Sequence, residues 1–506
     1  MTLAARNAAE AGRDPGPRAE GFLASVCPLL PALWLPVCGV VACAYLYAIF
    51  GRLTYPYPLE WLEPDTPDIV SRILSDLPIY GEPTYAYVAS MKTSLYYYVV
   101  AAFSLVLGNG LLVGRLVSVL SSFGVCIVIW NFVRREGGTW VWASFGVALF
   151  LATYHLSLDW YDIARLDSLF LLLTVAGAFA LRFSRGVAGA AAAGLLFAAA
   201  FFTKQAVLFV IIPALLLYAF AAPKRVIVAA CTAAVLIATG MVALHFATDG
   251  WSTFFLVEVP RHAAVRADRI VGLWTADILA PLWLALLSST GLIVGTWRSD
   301  RARALFYGGL LCGAVLDGLI GRANAAGSPN VFMPAYAVLA VTMPLALQTM
   351  LRACDDRAGR KLGFCFAVHL VALAQVAMLS YDPRQAVPSA RDKALSDQVL
   401  ARLRSIDGGI LIMDDRYFAR LLGKPSIGLD YALVDVLQDQ GSPVTAKLQQ
   451  SIIDALRTRQ FAGVVDPQAF VRENLNLGAP VILQSTPSEQ RNRFTPKPQA
   501  YYPIAP

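Results

Sequence analysis

Long apolar runs separated by short charged clusters dominate the chain as far as about residue 380. A bilayer core needs about 20 apolar residues per helix. Runs of that order lie at 28–50, 111–133, 139–157, 168–184, 187–203, 205–221, 226–246, 273–297, 303–321, 330–350 and 362–380. The run 93–107 begins beside Lys92 and ends in Gly108-Asn109-Gly110, and is too short to span comfortably. From about residue 383 the pattern changes. Helical periods at 393–405 and 445–458 alternate with short apolar stretches at Gly409–Met413, Ser426–Leu429, Phe461–Val465 and Val481–Leu483. That alternation predicts a small α/β layer domain.

Charge decides the topology, because basic residues collect in cytoplasmic loops. With 93–107 left out, one side receives Arg6, Arg13 and Arg18, then Arg134 and Arg135, Arg182 and Arg185, and Lys224 and Arg225. The same side takes Arg298, Arg301 and Arg303, followed by Arg352, Arg357, Arg360 and Lys361. The expected architecture is therefore a polytopic α-helical membrane protein of about eleven spans, N-terminus inside and C-terminus outside. Residues 1–27 form an inner tail and 28–382 the transmembrane domain, including a first outer loop at 51–110 with juxtamembrane helices. Residues 383–506 form an outer α/β domain. The 93–107 helix lies on the outer interface with Tyr96, Tyr97 and Tyr98 as its aromatic cluster. The first run is too long for a signal peptide and lacks a convincing cleavage site.

Composition agrees. Only 15% of the 506 residues are charged and 57% are apolar, which excludes a disordered chain. The net charge of +7 comes from scattered clusters, not the single basic stripe of a nucleic-acid binder. All eight cysteines fall in apolar segments or short basic loops, with no CxxC pair and no disulfide framework.

The outer face holds the candidate chemistry. The first outer loop carries Glu60, Glu63, Asp65, Asp68, Asp76 and Glu82. If a helix begins near Pro67, Glu63 and Asp65 precede it, where backbone N–H groups favour a carboxylate; a solvated acidic loop accounts for the same residues. Asp167 heads the 168–184 run after Asp159, Asp162 and Arg165. Ionisable groups at membrane depth are costly and mark function, although a capped helix start is the plainer reading. Lys204 separates two apolar runs and must occupy an outer hairpin, placed for a lipid phosphate or as a simple anchor. Arg261, His262, Arg266 and Arg269 form a basic outer cluster suited to an anionic ligand or to anionic headgroups. The four histidines are scattered, without a metal-binding pair. Walker, GxSxG and nucleotide phosphate-loop motifs are absent.

These residues resemble the GT-C membrane glycosyltransferases over about 28–350, most of all the family 39 branch of protein O-mannosyltransferases and the lipid A aminoarabinose transferase. Glu63-Pro64-Asp65 leading to Ser71-Arg72 matches the acidic opening of the first outer loop, with Glu63 where the family usually has Asp. That departure leaves Glu63, Asp65 and Asp68 open as the base. Lys92, Tyr97, Leu107-Gly108 and Arg115 match the next motif without gaps. Leu166-Asp167, Thr203-Lys204, Phe254–Glu258 with Arg261, and Arg322 with Pro334 follow.

The resemblance implies a polyprenyl-phosphate sugar donor and an acceptor hydroxyl on a glycan, lipid or protein, at the outer face of a bacterial inner membrane. It assigns the donor phosphate to Lys92, Lys204, Arg261 and Arg322. Proton abstraction goes to the loop carboxylates, with Asp167 positioning, and substrate contacts go to Arg115, Arg165, Glu258 and His262. Transfer would invert the anomeric centre. No sugar nucleotide or ATP is needed; relatives of this fold admit a divalent metal, for which the chain shows no dedicated ligand set. A polyprenyl-lipid flippase or secondary transporter is the alternative, but it needs deep polar residues, and Asp317 alone stands out. A scaffold that presents the outer domain is a third.

Overall fold

Each apolar run becomes a helix in the computed structural model, which describes residues 30–262, 265–266, 268–324, 327–353, 358–412, 417–424, 430–439, 441–458, 461–467, 469–474, 477–484, 493–496 and 498–504. The inner tail 1–27, Arg357 and the expected strand Ser426–Leu429 lie outside these residues. The helices in order are α1 (Leu30–Arg52), α2 (Asp65–Leu74), α3 (Leu95–Leu107), α4 (Leu111–Arg135), α5 (Trp140–Ala152), α6 (Asp167–Phe183), α7 (Gly186–Thr203), α8 (Val207–Ala219) and α9 (Pro223–Ala247). After them come α10 (251–261), α11 (268–296), α12 (Arg301–Ala323), α13 (Met333–Ala353) and α14 (Ala358–Met378). Both α10 and α11 contain a π-helical stretch.

Among the described residues, eight helical stretches are long and apolar enough to cross a membrane. The other three expected segments are also helical. Of these, α6 has 17 residues and α8 has 13, and α14 meets the criterion only together with the chain beyond a 42° bend. Polar residues cut the first two short: α6 begins at Asp167 and α8 just after Lys204.

Helix α13 runs through the middle of the bundle, with every residue from Met333 to Gln348 buried. Helices α8 and α12 approach backbone to backbone. A Cβ at Gly309 or Gly313 would collide with Pro213, Ala214 and Val210, the small-xxx-small geometry that close membrane helices use. Large apolar side chains such as Val40, Phe50, Ile127, Val242 and Val294 cover the outside of the bundle, a surface that suits lipid. Helix α3 buries Tyr96, Tyr97, Val100 and Ala101 and exposes Phe103, Leu105, Val106 and Leu107. One face packs on protein while the other stays apolar and open, as an interfacial helix requires.

The C-terminal region is the expected α/β unit. Helices α15 (Ala390–Arg404), α16 (Tyr417–Leu422), α17 (Asp430–Leu437), α18 (Pro443–Arg457) and α19 (Ala469–Asn474) surround a sheet of β1 (Ile410–Ile412), β2 (Gly463–Val465), β3 (Val481–Ile482) and β4 (Ala500–Pro503). The strand order is β1-β2-β4-β3, with β1 and β2 parallel and the remaining pairs antiparallel. Strands β1 and β2 are buried on both faces, as parallel pairs under helices are. On one face, Leu411 and Val464 join an apolar cluster with Ile69, Tyr97 and Phe255. On the other, Ile410, Ile412 and Val465 pack with Tyr57. The unit is thus docked through its core onto the loop that follows α1 and onto α10. Sequence patterning did not separate α16, α17, α19 or β4, all of which are short.

Candidate active site

The loop that follows α1 is held from within. Glu63 is fully buried and pairs with Arg115 of α4 through both oxygens, at 3.0 and 2.8 Å. It also accepts the Leu59 and Ala164 N–H groups at 2.6 and 2.7 Å. Burial opposes its charge, yet Arg115 and these N–H donors outweigh it and hold the carboxyl below its ordinary value. Arg115 spends its remaining N–H groups on the Arg52, Tyr55 and Tyr57 carbonyls. The pair ties the loop to the bundle, and helix α2 begins directly after it at Asp65.

The polar mouth of the bundle lies beside that loop. Asp167, 2% exposed, receives Lys204 Nζ at 2.9 Å, Arg165 Nε at 3.3 Å and Asn330 Nδ2 at 2.9 Å. Arg165 also reaches Glu60 at 3.3 Å and lies over the Trp160 ring at 4.3 Å. The second Glu60 oxygen is buried without a partner among the described residues, and burial pushes the carboxyl up to about 7 although Arg165 pulls the other way. Residues far apart in sequence thus fix two cations, Arg165 and Lys204, at one spot.

A cavity of about 230 Å³ opens over them, lined among others by Asp65, Lys92, Tyr97, Arg165, Lys204, Asn330 and Asp435. Lys92 makes no side-chain ion pair among the described residues. Burial, with Lys204 and Arg165 close by, pushes its ammonium down to about 8. Asp435 comes from α17 of the C-terminal unit. It is 8% exposed and makes no side-chain bond among the described residues. Burial pushes it up to about 7 against the pull of Lys92. Sequence reading missed Asp435 because only docking of the C-terminal unit distinguishes it from other acidic residues there.

The remaining candidates lie elsewhere. Asp68 points at the C-terminal unit, where Arg420 bonds its carboxylate and Ser71 Oγ, both at 3.0 Å. Arg261 is exposed and pairs with Glu258 at 3.0 Å. His262 stands 3.7 Å from Asp439. Glu258 and His262 line a second cavity of about 200 Å³ that also touches Asp435. Arg322 pairs with Asp277 at 2.6 Å and, with Arg269, holds the Gly327 carbonyl. It thereby shapes the loop whose Asn324, Gly327 and Ser328 line the first cavity. Among the described residues no group of three His, Cys, Asp or Glu side chains is arranged to hold a metal ion.

No protein-family model and no curated protein matches the chain. Solved structures do match. ArnT from Cupriavidus metallidurans bound to undecaprenyl phosphate superposes with a TM-score of 0.56 at 12% identity, over 93% of this chain and 97% of that one. Its apo state gives 0.59 at 13%, over 93% and 98%. The archaeal oligosaccharyltransferase AglB from Archaeoglobus fulgidus, in complex with an inhibitory peptide and a dolichol-phosphate, gives 0.52 at 11%, over 86% of this chain and 69% of that one. At such identities the likeness is one of fold, and the fold of this chain is the GT-C fold of membrane glycosyltransferases.

Proposed function

We propose that this chain is an integral-membrane glycosyltransferase that moves a sugar from a polyprenyl-phosphate donor to an acceptor hydroxyl. The observation that carries this reading is the cavity that brings Asp65, Lys92, Arg165 and Lys204 together at the polar ends of α6 and α8. Two similar structures hold polyprenyl phosphates, undecaprenyl phosphate in ArnT and dolichol-phosphate in AglB. That supports the donor class.

In this reading Lys92 and Lys204 take the donor phosphate, and Arg165 adds charge beside them. Asp167 keeps Lys204 and Arg165 in place and reduces their cost in a poorly solvated site. Asp65 acts as the base, a role favoured over Glu63 and Asp68 by its place on the cavity wall. The acceptor O–H gives its proton to the Asp65 carboxylate as its oxygen forms a bond to the anomeric carbon. The bond from that carbon to the phosphate oxygen breaks, and the electron pair leaves with polyprenyl phosphate. The cations stabilise the charge gained there. Attack opposite the departing phosphate inverts the anomeric centre. The site would face the periplasm of a bacterial inner membrane, with the N-terminus in the cytoplasm.

The test is to incubate the purified protein in detergent with a panel of polyprenyl-phosphate hexoses and pentoses and to follow free polyprenyl phosphate by mass spectrometry. Release that Asp65→Asn abolishes, with donor binding retained, is the expected result. A protein that neither binds nor releases any donor would remove the transferase reading and favour a transporter. Retention of the donor's anomeric configuration would remove inversion.

A further inference from the structure

Beside the donor cavity lies the second one, between α10 and the C-terminal unit. Its lining joins carboxylates (Glu258, Asp435, Asp439) and the Ser442 hydroxyl to an apolar floor of Phe254 and Val436. Glu258 and Asp439 have partners at the rim, Arg261 and His262. Asp435 has none among the described residues, although it is more than nine-tenths buried, and an unpaired buried polar group is costly unless something meets it. It also lines both cavities, so a molecule in the second one reaches the donor cavity at this residue. The Ser442 oxygen accepts the Val444 N–H at the start of α18, which leaves its own O–H to donate.

We propose that the second cavity is the acceptor subsite, that its occupant is a sugar, and that Asp435 holds the sugar's hydroxyl group at the junction with the donor cavity. The proposal rests on the glycosyltransferase reading and specifies its acceptor. The chemistry selects a carbohydrate. Carboxylates accept from hydroxyl or ammonium groups, a free hydroxyl donates to ring or hydroxyl oxygens, and the apolar floor covers the C–H face of a ring. A peptide or lipid acceptor would bring one hydroxyl and long apolar or amide stretches, which three carboxylates do not favour.

The test uses the full chain in nanodiscs with three probes: undecaprenyl phosphate, simple methyl glycosides (neutral and amino), and a serine-containing peptide. Binding of the glycosides and the peptide is read by saturation-transfer NMR. Wild-type protein should bind a methyl glycoside, and Asp435→Asn should weaken that binding roughly tenfold or more, the loss expected for one charge-assisted hydrogen bond. Undecaprenyl phosphate binding should persist or tighten, since a negative charge facing Lys92 is gone. Asp439→Asn, at the more exposed rim, should weaken the glycoside too and serves if Asp435→Asn does not fold. Absence of glycoside binding, glycoside binding indifferent to both changes, or binding of the peptide instead overturns the proposal. Wild-type protein that binds glycosides but not undecaprenyl phosphate would defeat the transferase reading and leave the sugar site standing.

Discussion

Glu63 and Arg115, 52 residues apart in sequence, form a two-pronged ion pair at 3.0 and 2.8 Å that no solvent reaches. All five N–H and carbonyl partners around them belong to loop or helix-end backbone. The pair behaves as a structural clasp, and this separates two carboxylates that lie two residues apart.

Glu63→Gln should therefore lower stability, by about 3–5 kcal/mol if Arg115 is left buried and uncompensated. Asp65→Asn should cost less stability than Glu63→Gln and abolish sugar transfer. Thermal unfolding in detergent and donor turnover, measured on both variants, would distinguish the roles. A stable but inactive Glu63→Gln protein would return the base to Glu63.

Lys204→Ala removes one of the cations that Asp167 positions. Undecaprenyl phosphate affinity should drop by about 1.5–3 kcal/mol, the range for hydrogen bonds to charged groups. Calorimetric titration of the detergent-solubilised protein would read it, and unchanged affinity would place the phosphate elsewhere.

Phosphate binding should weaken as pH rises. Lys92 sits at about 8, so it is a cation below that pH and neutral above it. Asp435 sits at about 7 and becomes an anion above it. Both changes disfavour a bound phosphate at higher pH. Affinity measured from about pH 6 to about pH 9 should fall, and Lys92→Arg, charged throughout, should flatten the alkaline limb. A wild-type profile that is level or rises would contradict the assignment of Lys92.

Arg420→Ala deletes the bonds to Asp68, Ser71 and the Pro67 carbonyl. Hydrogen exchange across residues 65–74 should speed up while the bundle stays protected. No change in that helix would mean that the apolar cluster alone docks the C-terminal unit.

Gly313→Val should destabilise the bundle by about 1–3 kcal/mol through overpacking, because α8 backbone already fills that space. Gly291→Ala in α11 meets nothing within 4 Å and serves as the neutral comparison in the same melting experiment.

The spans were legible because apolar length and basic loop ends survive in a linear reading, and α3 because Tyr96 to Leu107 was too short for a bilayer. Asp167 and Lys204 were legible as charges that interrupt apolar runs. The Glu63–Arg115 clasp was not, since nothing in either local sequence announces the other. Asp435 was invisible for a related reason: its burial is created by a domain contact, and local pattern carries no trace of it. Asp68 was read as a candidate base and Arg322 as a phosphate ligand from sequence motifs alone, which could not show that Arg420 and Asp277 engage them outside the lining of the first cavity.

Part of the first cavity's lining is supplied by Ala432 and Asp435, more than three hundred residues after Asp65, which lines it too. A nascent chain therefore carries Lys92 and Lys204 long before it owns the full cavity lining. That lining is complete only after the final quarter has been synthesised, has reached the same side as the loop after α1, and has folded onto it. On the proposed function, biogenesis would then act as a lock: a truncated chain would keep Lys92, Arg165 and Lys204 but lack the part of the cavity that Ala432 and Asp435 supply.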